Sequence, residues 1–70
     1  MINKVRTERN NQGMTQFELS KKSNITQADL SQIENGRIYP YPGWRRRISE
    51  ALEVNEEYLF PEIETEKEVS

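Results

Sequence analysis

Apolar residues recur along this chain at helical spacings, and no stretch sustains the alternation of a strand. The pattern predicts five helices with short connections and no internal repeat, an all-α fold. Residues 2–12 form the first helix: Ile2 and Val5 are spaced i, i+3 among Lys4, Arg6, Glu8 and Arg9, and Gly13 follows as a left-handed cap. Residues 16–23 form the second. Thr15 is its N-cap, Glu18 three residues on completes a capping box, and Phe17 and Leu19 are the candidates for burial. Ser23-Asn24 ends it, asparagine being the non-glycine residue that best tolerates positive φ. Residues 27–34 form the third, with Thr26 as cap, Asp29 at the N3 position and Leu30 and Ile33 facing inward. Asn35-Gly36 closes it; the pair is also a hairpin signal, but no strand precedes it.

Residues 37–42 read Arg-Ile-Tyr-Pro-Tyr-Pro, and the two prolines enforce an extended loop. A fourth helix runs from about Gly43 to Leu52, with Trp44, Ile48, Ala51 and Leu52 at i, i+4, i+7 and i+8 on one apolar face. Asn55 caps a short fifth helix, Glu56 and Glu57 sit at its positive end, and Pro61 terminates it. Residues 62–70 read as a frayed, flexible acidic tail. The expected organisation is one domain over residues 1–61 followed by that tail.

Composition narrows the function. Seventy residues hold one small core and no second one. Cysteine and histidine are both absent. That excludes disulfides, thiol nucleophiles and Cys-ligated zinc, and it removes the commonest general base and metal ligand. There is no nucleophile–base pair, no metal-ligand spacing and no phosphate loop, so the chain is not expected to be an enzyme or to hold a cofactor or metal. No apolar run approaches the ~18 residues of a membrane span. The N-terminus lacks the apolar stretch of a signal peptide, and a cytoplasmic protein is expected.

Net charge is −2, which by itself argues against a polyanionic partner. Its distribution reverses that argument. Residues 1–49 hold nine Lys/Arg and four Asp/Glu, a balance of +5, whereas residues 50–70 hold one Lys and eight Glu, a balance of −7. The body is basic and the end acidic.

The segment from Gln16 to Asn35 carries the functional signal. Two short capped helices joined by Ser23-Asn24-Ile25 form a helix-turn-helix unit, in which the first helix braces the second. At ~100° per residue, Leu30 and Ile33 point to one side of the second of these helices. The opposite arc holds Ala28, Ser31, Gln32 and Asn35, with Gln27 at its edge. None is ionised, although a merely solvated face in so charged a chain should carry Lys and Glu. Amides match the paired donor and acceptor on adenine, and Ala or a small hydroxyl can approach a thymine methyl.

The run "RNNQGMTQFELSKKSNITQADLSQIENGR", Arg9 to Arg37, resembles the phage repressor and Cro group of helix-turn-helix proteins, often called XRE-like. "ISEALEV" and "EEYLF" look like that family's fourth and fifth helices, and the resemblance covers residues 3 to about 60. It implies a five-helix repressor-like DNA-binding domain. By position it implies base contacts from Gln27, Ala28 and Gln32, with Ser31 as a helper. It also implies backbone contacts from Gln16, Asn35 and Arg37, and an internal ion pair between Arg9 and Glu34. Thr26, Arg45 and Arg46 complete the candidate backbone set. The chain departs from the family pattern at Ser20, where Ala is usual and whose hydroxyl can bond the i−4 carbonyl. It departs again at Asn24 and Glu53, where glycine is common, and in the aromatic loop "RIYPYPGW".

Two features stay open at the level of sequence. Arg45, Arg46 and Arg47 crowd a positive helix end; either a phosphate compensates them or they are solvated arginines partly paired with Glu50 at i+4. Tyr39, Tyr41 and Trp44 either cover the core, the reading favoured here, or stack on sugar or base. Val54, Tyr58, Phe60 and Ile63 offer more apolar surface than a short terminal helix needs, and form a homodimer interface or simply close the core. The function expected is a sequence-specific regulator of double-stranded DNA, a repressor, binding a palindrome as a homodimer. The alternative is a protein-partner module, such as an antitoxin or antirepressor, that engages its partner through Glu62, Ile63, Glu64, Glu66 and Glu68.

Overall fold

Helix ends, more than helix interiors, decide this architecture. The computed structural model describes residues 2–61, which form α1 (Val5–Asn11), α2 (Gln16–Ser23), α3 (Gln27–Glu34), α4 (Pro42–Leu52) and α5 (Glu56–Leu59). At the start of α2 the predicted capping box is complete: Thr15 Oγ1 accepts from Glu18 N at 3.0 Å, and Glu18 Oε1 accepts from Thr15 N at 2.8 Å. Thr26 Oγ1 accepts from Asp29 N at 3.1 Å and starts α3. Asn55 stands at the N-cap of α5, but its side chain makes no capping bond.

Four helices end in one motif, a left-handed residue followed by a backbone bond that spans five residues. Met14 N donates to Arg9 O, Ile25 N to Ser20 O, Arg37 N to Gln32 O and Val54 N to Ser49 O, at 2.9–3.3 Å. The left-handed residues are Gly13, Asn24, Gly36 and Glu53. Where glycine is missing, a serine supports the reversal. Ser20 Oγ donates to Ile25 O at 2.6 Å, and Ser49 Oγ donates to Val54 O at 2.5 Å. The Ser20 hydroxyl thus crosses the turn and does not bond back along its own helix; Ser23 makes the i−4 bond, to Leu19 O at 2.7 Å.

The core gathers one face from each element: Val5, Leu19, Ile25, Leu30 with Ile33, Ile48 with Leu52, and Leu59 with Phe60. α2 lies between α3 and α4, and α4 also packs on α1 and α5. Three expectations need correction. Phe17 is 55% exposed, with Lys21 Nζ 5.4 Å from its ring centroid. Residues two apart on a helix point ~200° apart, so Phe17 and Leu19 cannot share the inward face, and Ser23 takes that place. The first helix begins at Val5, not residue 2. Lys4 N donates to Leu59 O at 2.8 Å, Asn3 Nδ2 donates to Ile33 O at 2.8 Å, and Asn3 Oδ1 accepts from Val5 N at 3.1 Å. Those bonds hold the lead-in outside the helix and leave Ile2 exposed. Finally, α4 starts at Pro42, whose fixed φ and missing N–H suit a first helical position.

Glu53 carries a Cβ at φ 58°, a conformation costing roughly 1–2 kcal/mol for an ordinary L-residue. Replacing it with glycine relieves that cost and adds unfolded-chain entropy. Glu53→Gly should therefore stabilise the fold by roughly 0.5–1 kcal/mol, read as a raised denaturant midpoint with an unchanged m-value.

Candidate nucleic-acid interface

α3 is built to be held on one side and shown on the other. Leu30 and Ile33 are fully buried, while Gln27, Ala28, Gln32 and Asn35 are exposed and Ser31 is half-buried. Leu30 and Ile33 supply adhesion, which has no preferred direction. Orientation comes from the end of the helix. The Glu34 carboxylate has no solvent-exposed surface and accepts from three side chains. Arg9 grips it with two bonds, Nε to Oε2 at 2.8 Å and Nη2 to Oε1 at 3.1 Å. Arg6 Nε reaches Oε1 at 3.3 Å, and Gln16 Nε2 reaches it at 3.4 Å. A carboxylate at a helix C-terminus opposes the helix dipole; here two guanidinium groups offset that cost.

Arg9 extends the network. Its Nη1 donates to Met14 O at 2.9 Å, which fixes the connection between α1 and α2. Its side chain is 11% exposed. The hydrogen bonds to Glu34 raise the Arg9 pKa above the ordinary arginine value; burial opposes this and the carboxylate's charge adds to it. Stability gained from a raised basic pKa is complete below the unfolded value and lost only as pH climbs through the folded one. Arg9 therefore stays charged across the neutral range.

The remaining candidates separate into those drawn inward and those left outside. Gln16, at the start of α2, is half-buried against Glu34. Thr26 is exposed, and its Oγ1 accepts the cap bond from Asp29 N. Asn35 Oδ1 accepts from Arg6 Nη2 at 2.6 Å, and Asn35 Nδ2 lies 3.5 Å from Ser31 Oγ. Arg37 and Arg46 are exposed and form no ion pair among the described residues. Arg45, expected in the backbone set, turns inward in this structure. Its side chain is 15% exposed, Nη1 donates to Pro40 O at 3.0 Å, and Nε lies 3.7 Å from Glu56. Arg47 Nη2 donates to Asn24 O at 3.1 Å, at the left-handed end of α2. The compensation for the arginine run is thus partly internal, and it comes from Glu56, with no Arg46–Glu50 pair among the described residues.

The apolar surface near the C-terminus also divides. Phe60 is buried in the core and leaves the candidate interface, Val54 is half-buried against the core, and Tyr58 is exposed. Ile63 and the tail glutamates lie outside the described residues. Sequence reasoning missed Arg6 as a second cation on Glu34, although its i, i+3 spacing to Arg9 places both on one face of α1.

The model of the family described as helix-turn-helix domain matches residues 1–63. The chain belongs to the helix-turn-helix domain family. Membership carries DNA binding as the general role. A search of the curated proteins finds no match. Among the described residues of this helix-turn-helix domain no His/Cys/Asp/Glu cluster is arranged for a metal ion, and no helix is long and apolar enough to cross a membrane.

Removing the Glu34 carboxylate strands Arg9 in a mostly buried site. Glu34→Ala should cost roughly 3–5 kcal/mol, measured by urea denaturation. Arg6→Ala, at the exposed edge of the same network, should cost less than about 1 kcal/mol. A loss from Arg6→Ala as large as that from Glu34→Ala would mean that Arg6, and not Arg9 alone, holds the carboxylate.

Proposed function

We propose that this helix-turn-helix domain is a sequence-specific regulator of double-stranded DNA, a repressor of the phage repressor and Cro type. The carrying observation is the outward face of α3: Gln27, Ala28, Ser31 and Gln32 are un-ionised and lie opposite buried Leu30 and Ile33. Gln27 and Gln32 offer donor–acceptor pairs to base edges, and Ala28 and Ser31 leave room for a thymine methyl. Backbone contacts come from Gln16 and Thr26 at the starts of α2 and α3, and from Asn35, Arg37 and Arg46 around the end of α3 and the start of α4. They fix register without reading sequence.

The protein acts as a homodimer that places two α3 helices in half-sites roughly 34 Å apart. Exposed Tyr58 and half-buried Val54 supply the paired surface, with Ile63 as a further member. The acidic residues 62–70 act in solvation or in capture of a protein partner, and their removal should leave intrinsic DNA affinity unchanged or slightly raised.

Selection from a randomised duplex pool on the purified protein tests this reading, and an enriched palindrome is expected. Gln32→Ala should then relax preference at one position of each half-site and cost roughly 1–3 kcal/mol on the enriched site. An unaltered consensus would remove Gln32 from the reading face.

A further inference from the structure

The outward side of α2 is not the uniformly polar face of a solvated helix. Phe17 stands there, 55% exposed. Beside it lies half-buried Met14, which packs against the core, and both line a groove between the residues that follow α1 and the last turn of α2. Lys21 and Lys22 line the same groove; both are exposed, and neither forms an ion pair among the described residues. Lys21 Nζ sits 5.4 Å from the Phe17 ring centroid, so the cation leans over the apolar floor. Glu18, the one carboxylate of the groove among the described residues, is already engaged, since its Oε1 accepts from Thr15 N at 2.8 Å. The exposed rings of the α3–α4 loop differ in kind. Tyr39 and Tyr41 carry hydroxyls that water satisfies, and Trp44 just after them packs on the core; Phe17 has no polar group to offer solvent.

An apolar ring beside two cations calls for a mixed occupant. A phosphate backbone would satisfy the lysines and leave Phe17 and Met14 wet. A neutral apolar peptide would cover the ring and strip water from two charges without replacing it. An acidic segment that carries an apolar residue meets both needs. The sequence contains one. Residues 62–70 read Glu-Ile-Glu-Thr-Glu-Lys-Glu-Val-Ser, with four glutamates and one lysine, and lie outside the described residues. Their reach is sufficient. Lys4 N is bonded to Leu59 O, which fixes α5 at the start of α1, and Gln12 at the other end of α1 opens the groove. The seven residues of α1 rise about 10 Å, whereas the nine residues after Pro61 extend up to about 30 Å. A segment tethered so close meets the groove at an effective concentration on the order of millimolar.

We propose that residues 66–69 of the acidic tail dock in this groove of their own chain, with Val69 against Phe17 and Met14 and with Glu66 and Glu68 paired to Lys21 and Lys22. Ile63, close behind α5 in sequence, stays with the surface proposed for contact between copies. The docked segment neutralises two lysines and leaves the outward face of α3 open, so the contact is compatible with DNA binding and does not rest on it. Its consequence falls on protein partners: a protein that captures the tail must first draw it away from α2.

The experiment is paramagnetic relaxation in the full chain. Cysteine is absent, so Ser70→Cys gives a single attachment point for a nitroxide label, beside Val69. Backbone amide signals are compared with the label oxidised and reduced. The expected result is a loss of intensity centred on Met14, Phe17, Lys21 and Lys22 that is unchanged on dilution and fades at high salt. Lys21→Glu/Lys22→Glu in the labelled chain should abolish the loss. Adding Glu66→Lys/Glu68→Lys to that variant should restore it, which a folding defect would not do. Phe17→Ser should weaken it. No localised loss in the labelled chain overturns the proposal. A loss centred on Arg37 and Arg46 also overturns it, and places the tail against the cations near the end of α3. A loss that disappears on dilution overturns docking within one chain and assigns the groove to the tail of a second copy.

Discussion

A single buried carboxylate constrains everything this domain shows to its surroundings. Glu34 ends α3, has no solvent-exposed surface and receives Arg9, Arg6 and Gln16 from the two preceding helices. Burying that charge without partners is prohibitive, so the carboxylate is tolerated only where the guanidinium fork of Arg9 meets it. Apolar contacts at Leu30 and Ile33 would accept small rotations of α3, since burial has no direction. A two-pronged ion pair does not. The angle at which Gln27 and Gln32 stand out from the surface is therefore an electrostatic property of a residue that is itself hidden.

The arginines illustrate how position changes the meaning of a charge. Four lie between residues 37 and 47, and composition treats them alike. Arg45 turns inward to a carbonyl and to Glu56, Arg47 bonds the carbonyl of Asn24, and Arg37 and Arg46 stand in solvent. Arg9 is different again, a cation used wholly for internal geometry. The balance of +5 over residues 1–49 thus overstates the charge available to a ligand. What remains outside divides between Arg37 and Arg46, near the end of α3 and the start of α4, and Lys21 and Lys22 in the last turn of α2.

Much of the fold was legible because its signals are local. Thr15 with Glu18, Thr26 with Asp29, and Gly13, Asn24 and Gly36 mark helix ends within a few residues of the bonds they make, and the structure places α2 and α3 at the bounds those residues predict. Phe17 was misread because hydrophobicity was weighed ahead of phase; its angle to Leu19 already sent it outward. The early start assigned to the first helix failed for another reason. The bonds that hold Asn3 and Lys4 come from Ile33 and Leu59, and no local pattern reveals partners so distant in sequence. The outward side of α3 could be named from helical phase alone, whereas the inward turn of Arg45 depends on where Pro40 and Glu56 come to rest.

The recurring left-handed helix end, finally, bears on how fast the domain assembles. Connections span residues 12–15, 24–26, 35–41 and 53–55, and reversals of that kind bring together helices that are neighbours in sequence. Folds dominated by such short-range contacts have low contact order and form on the order of microseconds to milliseconds. Against that background the packing of α2 on α4, the Arg9–Glu34 pair and the bonds from Asn3 to Ile33, from Lys4 to Leu59 and from Gln12 to Leu52 are among the long closures. The last three tie residues 3–4 and 12 to the end of α3, to α5 and to the end of α4, across far longer stretches of chain than the helix reversals span.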